Sequence, residues 1–306
     1  MAEEDFAGTF TTGSNGERGE TVLLADYRLT VVGVGLMGGS FAGALHGTCE
    51  RVVGVDRDAE TLQTACDRDL IDDGFTDLAR GVRDANVVVL ATPVRSIIQL
   101  LDVIGPMLAP GTLLMDLGST KQTILQKMKH LPSHVDVIGA HPMCGKEISG
   151  VSAAERDLYQ GRTFILSPLP RTRTSGLALA KALARAVGAD PLIIDGARQD
   201  FLVGTISHLP YLLACGLVKT ADSMTSPDPL VWDIVAGGYR DTSRVAGSDV
   251  AMMLDILLTN RDNVTEAATT FVEHLQGLIR LIEAGDEEAL RSSLTTIRSL
   301  RKEMYP

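Results

Sequence analysis

The sequence predicts an α/β protein with a mostly parallel sheet in its N-terminal domain and an all-α C-terminal domain. Two observations lead to this prediction. From about residue 29 to residue 196, short β-rich runs alternate with helical segments, which is typical of βαβ units. After residue 196 the β-rich runs stop and helical periodicity takes over. We therefore expect a flexible extension at 1–26, a sheet domain at 27–196 and a helical domain at 197–306.

The β-rich runs are nearly continuous apolar stretches, as expected for strands that helices cover on both faces. In chain order they are LTVVGVG, RVVGVD, NVVVLATP, TLLMDLGS, VDVIGAHP, TFILSP and PLIID. Helical segments follow most of these runs, including one near 174–187. The expected result is a sheet with helices packed on both sides.

The C-terminal half carries wide apolar stripes. From Asp249 to Ala284 we expect one or two long helices, ended by Gly285 and followed by a helix that Asp286 caps. Apolar residues recur there at spacings of four and three, namely Val264, Ala268, Phe271, Leu275, Leu278 and Ile282. Earlier in this half, Pro210 removes a backbone donor and predicts a kink beside His208. The stripes favour a homodimer built from this half; a monomeric bundle is the alternative.

Composition excludes several classes of protein. The chain has 306 residues, of which 45% are hydrophobic, and a formal net charge of -11. This surplus of acid argues against nucleic acid and anionic membranes as partners. No uninterrupted apolar run is long enough to span a membrane. The cysteines, at 49, 66, 144 and 215, form neither a metal motif nor a disulfide framework. We expect a cytoplasmic protein with reduced thiols, without a bound metal.

A glycine-rich motif follows the first strand. In VVGVGLMGGS, Gly33, Gly35 and Gly38 have G-x-G-x-x-G spacing, with Leu36 and Met37 opening the next helix. The first glycine allows a tight turn, the second allows a pyrophosphate to approach the backbone, and the third allows close packing of helix on strand. A strand-turn-helix without a ligand is the alternative, but the surrounding pattern favours a Rossmann-type dinucleotide site.

An acidic residue completes this pattern. Asp56 ends the second strand, where its carboxylate can accept hydrogen bonds from the ribose hydroxyls and repel a 2′-phosphate. This favours NAD, although Arg57 beside it leaves NADP possible. Thr92 and Pro93 follow the fourth strand at the carboxyl edge of the sheet, where ligands bind in such folds. We expect all four residues to contact the cofactor.

Two residues at the same edge could take part in chemistry. His141 ends the strand VDVIGAHP, and Pro142 stiffens its backbone. An imidazole with a near-neutral pKa suits removal of a proton from an alcohol. Ser119, in DLGSTK, either caps the following helix or turns its hydroxyl toward the crevice. A structural role is the alternative for both residues.

The helical half supplies polar candidates. His208 lies at the expected kink, where it is either a satisfied core histidine or a site residue. Arg240 and Arg244 occur in a glycine-rich segment that we interpret as a loop. A guanidinium there could bind the carboxylate of a small anionic substrate through two parallel hydrogen bonds.

Five motifs, taken together, resemble the prephenate/arogenate dehydrogenase family of tyrosine biosynthesis. They are GVGLMGGS, DLGSTK, GAHPMCGKE, SHLPY and GGYRDTSRVAGSD, in this order. The resemblance implies NAD(P)-dependent oxidative decarboxylation of a cyclohexadienol by a protein that dimerises through its helical domain. Because the chain ends just after the helical domain, we expect no fused mutase or amino-acid-sensing domain, and we expect any inhibition by tyrosine to act at the active site.

The resemblance assigns roles to individual residues. His141 accepts a hydrogen bond from the ring hydroxyl and Ser119 orients the same group. Arg244 binds a substrate carboxylate, His208 lies in the substrate pocket, and Glu147 lies at the pocket mouth. Each of these roles is an expectation from the resemblance.

Two departures from the family pattern leave the substrate open. Tyr211 stands where many prephenate-preferring members have a second histidine, and Gln199-Asp200 stands where many have His-Asp. We expect prephenate as the substrate, with arogenate as the alternative. More distant alternatives are a β-hydroxyacid-type dehydrogenase, which would need a catalytic lysine where this chain has His208, and a non-catalytic dinucleotide sensor.

Overall fold

The N-terminal domain is built on a single sheet. The computed structural model describes residues 22–146, 148–226, 228 and 230–304. Its eight-stranded sheet has the order β3-β2-β1-β4-β5-β6-β7-β8. The strands are β1 (Arg28–Val32), β2 (Arg51–Val55), β3 (Asp73–Phe75), β4 (Val87–Leu90), β5 (Leu113–Asp116), β6 (Asp136–Pro142), β7 (Thr163–Pro168) and β8 (Asp190–Ile193).

The sheet is mostly parallel, as predicted. Every neighbouring pair is parallel except β6 and β7, which run antiparallel. The strand order reverses between β1 and β4, and a crevice for ligands forms at the carboxyl ends of strands on either side of such a switch point. Sequence reasoning missed β3, because its three residues DGF contain no apolar run.

Helices surround this sheet and then form the second domain. They are α1 (Leu36–Leu45), α2 (Ala59–Asp67), α3 (Leu78–Val82), α4 (Val94–Ile104), α5 (Gln122–Met128), α6 (Thr174–Ala186), α7 (Gly196–Val203), α8 (Leu209–Thr225), α9 (Leu230–Asp233), α10 (Gly237–Ser243), α11 (Val250–Thr259), α12 (Arg261–Ala284) and α13 (Glu287–Met304). After β8, no described residue belongs to a strand.

Several helix ends match the sequence expectations. The segment from Asp249 to Ala284 forms two helices, α11 and α12, which meet at Asn260. Gly285 ends α12 with a φ of 64°, in the left-handed region that glycine tolerates best. The Asp286 carboxylate then accepts a hydrogen bond from the Ala289 backbone N–H at 2.9 Å, which caps α13. Of the predicted N-terminal extension 1–26, residues 1–21 lie outside the described residues.

A π-helical turn lies beside His208. It spans Gly204–His208 and joins α7 to α8, so the predicted irregularity before Pro210 is present. By length and hydropathy the helical stretch Gly196–Thr225 could cross a membrane. The sequence did not predict this stretch, because polar residues interrupt its apolar run. Core helices of proteins that never enter a membrane can have the same length and hydropathy. This stretch also buries polar side chains against protein, as described below.

Candidate active site

The glycine-rich turn between β1 and α1 is shaped for close approach. Gly33 has a φ of 93°, and a Cβ atom there would lie 2.7 Å from Thr92 Cγ2. A Cβ on Gly38 would lie 1.9 Å from the Gly33 carbonyl oxygen. Gly35, the residue before α1, has open space where its side chain would be. The turn therefore packs tightly against the β4–α4 connection, while its middle glycine leaves the helix N-terminus accessible to a phosphate.

Asp56 lies beside this turn. Its carboxylate accepts hydrogen bonds from the backbone N–H groups of Val34, at 3.0 Å, and Asp58, at 3.1 Å. These bonds hold a partly exposed carboxylate at the end of β2, next to the turn. Arg57 is exposed. Asp56 thus has the position and chemistry that suit a ribose diol, so the residues present fit a dinucleotide.

The first turn of α1 is anchored from behind. Leu36 is buried, and the Met37 carbonyl oxygen accepts a hydrogen bond of 2.6 Å from the Tyr159 hydroxyl. Pro93 lies at the start of α4 and is exposed. These backbone positions line the edge of the sheet where the dinucleotide would lie.

The carboxyl edge of the sheet holds unsatisfied polar atoms. Within the described parts of the chain, three buried side-chain atoms lack a hydrogen-bond partner: Thr92 Oγ1, His141 Nδ1 and Gln199 Oε1. Buried polar groups usually have partners, so orphaned atoms need an explanation. Thr92 follows the end of β4, and His141 lies in β6 just before its last residue. Gln199 lies on α7, which contacts the loop after β5. We interpret them as groups prepared for ligands.

His141 lies near the end of β6, opposite Ile165 of β7. Burial, together with the charges of Lys121 and His208, lowers the pKa of His141 to about 3. The expectation of a near-neutral pKa was therefore wrong for the unliganded protein, because the site removes the imidazole from water. The ring is therefore neutral at physiological pH, and its unprotonated nitrogen can accept a hydrogen bond.

Ser119 does not cap α5. That role belongs to Asp200 of α7, whose two carboxylate oxygens accept hydrogen bonds from the backbone N–H groups of Lys121, at 2.7 Å, and Gln122, at 2.8 Å. The Ser119 side chain is partly exposed, and its carbonyl oxygen accepts a hydrogen bond from Gln199 Nε2 at 3.2 Å. Capping of α5 therefore does not engage the Ser119 hydroxyl.

A buried ion pair lies under these residues. Lys121 Nζ donates to Asp116 Oδ2, and both side chains are fully buried. Burial lowers the pKa of Lys121 and raises that of Asp116, and the partner's charge opposes each shift. Sequence reasoning missed this pair, although its spacing of five residues across a strand end could have suggested it.

The helical domain docks on the sheet domain through carboxylates. Besides Asp200, Asp255 of α11 accepts hydrogen bonds from the backbone N–H of Arg95, at 3.0 Å, and from its Nε, at 2.5 Å. The residue before α4 is Pro93, whose side chain has no acceptor, so the start of α4 has no side-chain cap of its own. Asp255 therefore stabilises that helix N-terminus from the other domain.

His208 is buried at the end of the π-helical turn. Its Nδ1 lies 3.1 Å from Asn260 Nδ2, which also donates to the Asp200 carbonyl oxygen at 2.7 Å. Because an amide nitrogen donates, Nδ1 accepts and the proton of the neutral ring lies on Nε2. Burial lowers the pKa of His208 to about 4. Tyr211, three residues on, is partly buried, and burial together with its hydrogen bond to Cys215 raises its pKa.

Arg244 lies farther along the helical domain. The glycine-rich segment is not a loop, as interpreted from the sequence, but forms α10 and the 3₁₀ turn Arg244–Gly247. This turn packs against α8, the helix that begins beside His208, and Arg244 is exposed. Glu147 lies outside the described residues. Nearby, burial raises the pKa of the Cys144 thiol to about 11, as expected for an unreactive cysteine.

Comparison with known proteins assigns this arrangement to a family. The profile described as "Prephenate dehydrogenase, nucleotide-binding domain" matches residues 41–192, and that described as "Prephenate dehydrogenase, dimerization domain" matches residues 195–296. A prephenate dehydrogenase of Bacillus subtilis is 32% identical over 92% of this chain and 75% of its own length.

Solved structures agree. The prephenate dehydrogenase of Aquifex aeolicus in complex with hydroxyphenyl propionate and NAD+ has a TM-score of 0.85 at 32% identity, covering 92% of this chain and 99% of that one. The arogenate dehydrogenase of Synechocystis has a TM-score of 0.79 at 28% identity, covering 90% of this chain and 99% of that one. From its two matched domains and these relatives, the chain belongs to the prephenate dehydrogenase family.

Proposed function

We propose that the protein catalyses the NAD(P)-dependent oxidative decarboxylation of prephenate to 4-hydroxyphenylpyruvate. The observation that carries this proposal is the neutral, buried imidazole of His141 at the sheet edge, with Nδ1 unpaired and Ser119 on the neighbouring strand's loop. Family membership supports the same reaction. A non-catalytic sensor would need the glycine-rich turn but no such imidazole.

NAD is the cofactor that the sheet domain suits best. The backbone from Gly33 to Gly38 would hold the pyrophosphate, and Asp56 would hold the ribose. Arg57, being exposed, could pair with a 2′-phosphate, so NADP remains a second cofactor. Thr92 supplies an unpaired hydroxyl, and Pro93 shapes the backbone beside it. When bound, this cofactor would supply the acceptor for the hydride that leaves the ring carbon bearing the hydroxyl.

The residues of the chain handle the proton and the orientation. His141 takes the hydroxyl proton as the ring carbon becomes a carbonyl carbon, and Ser119 orients that oxygen. Carbon dioxide then leaves from the opposite ring carbon, and its bonding electrons complete the aromatic ring. The proton returns from His141 to the phenolate oxygen. The chain needs only to position groups and to hold one imidazole neutral.

The helical domain recognises the rest of the substrate. Arg244 binds a carboxylate, His208 lines the pocket through its Nε2–H, and Glu147 lies at its mouth. Gln199 and Tyr211, where many relatives have histidine, face the side-chain end. An orphaned amide oxygen at Gln199 could also accept a bond from an ammonium group, which keeps arogenate as the second candidate.

We propose that the working form is a cytoplasmic homodimer. Large apolar side chains are exposed along α12, including Leu275, Ile279 and Ile282. Exposed apolar side chains at spacings of four and three lie on one helix face, and such a face is typical of an interaction surface. The matched dimerization-domain profile supports a second copy of this chain as the cover. The same boundary near residue 196 would separate a sheet domain at 27–196 from a helical domain at 197–306.

A spectrophotometric assay tests the function. The purified protein is incubated with NAD and prephenate, and reduced cofactor is followed at its absorbance band. Rapid reduction with release of carbon dioxide is the expected result. Parallel reactions with arogenate and with NADP measure both preferences as ratios of kcat/KM. Reduction of NAD with neither cyclohexadienol would contradict the proposal, and faster turnover of arogenate would select the second candidate.

A further inference from the structure

We propose that Asp116 is a positioning residue that sets the spacing between His141 and Ser119. Its Oδ1 accepts a hydrogen bond from the Ala140 backbone N–H at 3.3 Å, and its Oδ2 accepts one from the Gly118 backbone N–H at 2.8 Å. Ala140 immediately precedes His141, and Gly118 immediately precedes Ser119. One buried carboxylate thus joins the two backbone segments that carry both groups. This inference rests on the proposed function for the meaning of that spacing.

The bridge lies where the sheet stops holding the strands together. The parallel register between β5 and β6 ends at the pair Met115 and Ile138, before His141 is reached. Beyond this point the N–H of Ala140 is bonded to the Asp116 side chain instead of to the backbone of β5. The strands can therefore diverge to form the crevice while the carboxylate keeps their ends at a defined separation.

Two glycines and a lysine accommodate the bridge. A Cβ on Gly139 would lie 3.0 Å from Lys121 Cδ, and a Cβ on Gly118 would lie 3.0 Å from Asp116 Oδ2. The lysine side chain thus runs against β6 and places its ammonium on the carboxylate. Replacing a buried ion pair by apolar groups is often neutral or stabilising, so stability alone is a weak reason to keep this one. Its contacts with two backbone segments suggest a geometric role.

The helical domain holds the other side of the same segment. Gln199 bonds the Ser119 carbonyl oxygen, Asp200 bonds the N–H of Lys121, and the hydroxyls of Thr120 and Thr259 lie 2.8 Å apart. The segment 118–122 is therefore bound on one side by Asp116 and on the other by α7 and α11. If Asp116 were altered, this segment would follow the helical domain, and Ser119 would move relative to His141.

The test uses a charge-matched double variant of the full chain, Asp116→Asn with Lys121→Met. The two backbone N–H groups bond different carboxylate oxygens, and asparagine replaces one of these oxygens by an NH2 donor, so one N–H group loses its acceptor. The methionine avoids an unpaired buried ammonium. We expect kcat to fall about 10- to 100-fold, because a displacement of Ser119 from His141 by about 1 Å would misalign the reacting hydroxyl. The KM for prephenate and the affinity for NAD should change little. Asp116→Glu keeps the ion pair but lengthens the bridge, and should also lower kcat.

Asp136→Asn is the matched control. Asp136 is a buried carboxylate at the opposite end of β6 and accepts backbone N–H bonds from Val137, at 3.0 Å, and Arg173, at 3.1 Å. This variant should lower the melting temperature but leave kcat unchanged. The proposal would be overturned if Asp136→Asn lost as much kcat as the double variant. It would also be overturned if the folded double variant, or Asp116→Glu, kept the wild-type kcat.

Hydrogen exchange supplies a readout without substrate or cofactor. In the unliganded double variant, at least one of the backbone amides of Gly118 and Ala140 should lose protection, because asparagine keeps only one of the two carboxylate oxygens. The amide of Lys121, which Asp200 holds, should keep its protection. Retained protection at both amides would overturn the bridge. Failure of the proposed function would have a different result: the wild-type protein itself would reduce NAD with neither prephenate nor arogenate.

Discussion

The two domains differ in how far each completes its own core. In the sheet domain, apolar residues from every strand except β3 and β8 are buried beneath flanking helices on both faces. In the helical domain, the buried apolar side chains are few, namely Val203, Ala214, Met253, Ile256 and Val264. The long helix α12 buries only Val264 among its described residues, and α13 buries none. The sheet domain therefore completes its own core, whereas the helical domain leaves much of its apolar surface exposed in the single chain.

The polar residues that the helical domain does bury have a common location. They are Gln199, Asp200, His208, Asp255 and Asn260. Gln199, Asp200 and Asp255 bond the sheet domain directly, and Asn260 joins His208 to Asp200. A buried polar side chain costs free energy unless its bonds are satisfied. The helical domain thus uses its polar burial to dock on the sheet domain, and in the proposed homodimer its apolar surface would contact a second copy.

The largest effect is expected from charges on the exposed stripe of α12. Leu275→Asp with Ile282→Asp would place two carboxylates in the proposed dimer core, so the protein should become monomeric and lose nearly all turnover. The sheet domain should still bind NAD, because its own core is complete. Light scattering, turnover and NAD titration measure the three properties. His274→Asp, on the same helix but off the stripe, is the control; a fully active monomer would contradict the comparison.

The next effect concerns the sheet domain alone. His141→Ala should lower kcat by about 10²- to 10⁴-fold while NAD binding remains, since the imidazole acts only on the reacting hydroxyl. Because the pKa of His141 is lowered to about 3 in the unliganded protein, protonation of this residue should not reduce kcat/KM until the pH is well below 6.5. Steady-state kinetics across pH measure both. Near-normal turnover of the variant would remove His141 from the chemistry.

The sequence predicted most of the sheet domain, because its features are local. A continuous apolar run identifies a buried strand, and the glycine spacing of residues 33–38 identifies the turn. The strand β3 and the short helix α3 were not predicted, since their three and five residues are too few to carry such a signal. The turn residues Gly285 and Asp286 were predictable for the same reason, as each acts within one helix end.

Contacts between distant residues were not predictable. Asp200 caps a helix 78 residues earlier in the chain, and Asp255 caps one 160 residues earlier. The alternative role of Ser119 as a cap failed for this reason, because the sequence around α5 contains no sign of a carboxylate from another domain. The low pKa of His141 was not predictable either. It depends on burial and on the charge of Lys121, and the sequence does not show that folding brings these two residues together.

A smaller effect is expected where the helical domain meets the substrate. Arg244→Ala should raise the KM for prephenate about 10- to 100-fold with kcat less changed, since a charge-assisted pair is worth about 1.5–3 kcal/mol. Arg261→Ala is the control, because that guanidinium is exposed at the start of α12 and bonds its neighbour Asp262. An unchanged KM in Arg244→Ala would make this arginine a surface residue and weaken the assignment of substrate recognition to the helical domain.

The smallest effect should be confined to the sheet domain. Asp56→Ser removes the carboxylate that would bond the ribose and repel a 2′-phosphate, so the preference for NAD over NADP should fall about tenfold, equivalent to about 1.4 kcal/mol. Asp58→Ser removes a charge two residues away, yet serine can still cap α2, so its cofactor ratio should stay constant. The ratio of kcat/KM for the two cofactors is the measurement, because it cancels any loss of stability from the lost bond to Val34. If the ratio of kcat/KM for NAD to that for NADP is the same in both variants and in the parent protein, the ribose contact lies elsewhere. If the ratio shifts in Asp56→Ser while dimerisation is unaltered, cofactor choice depends on the sheet domain alone.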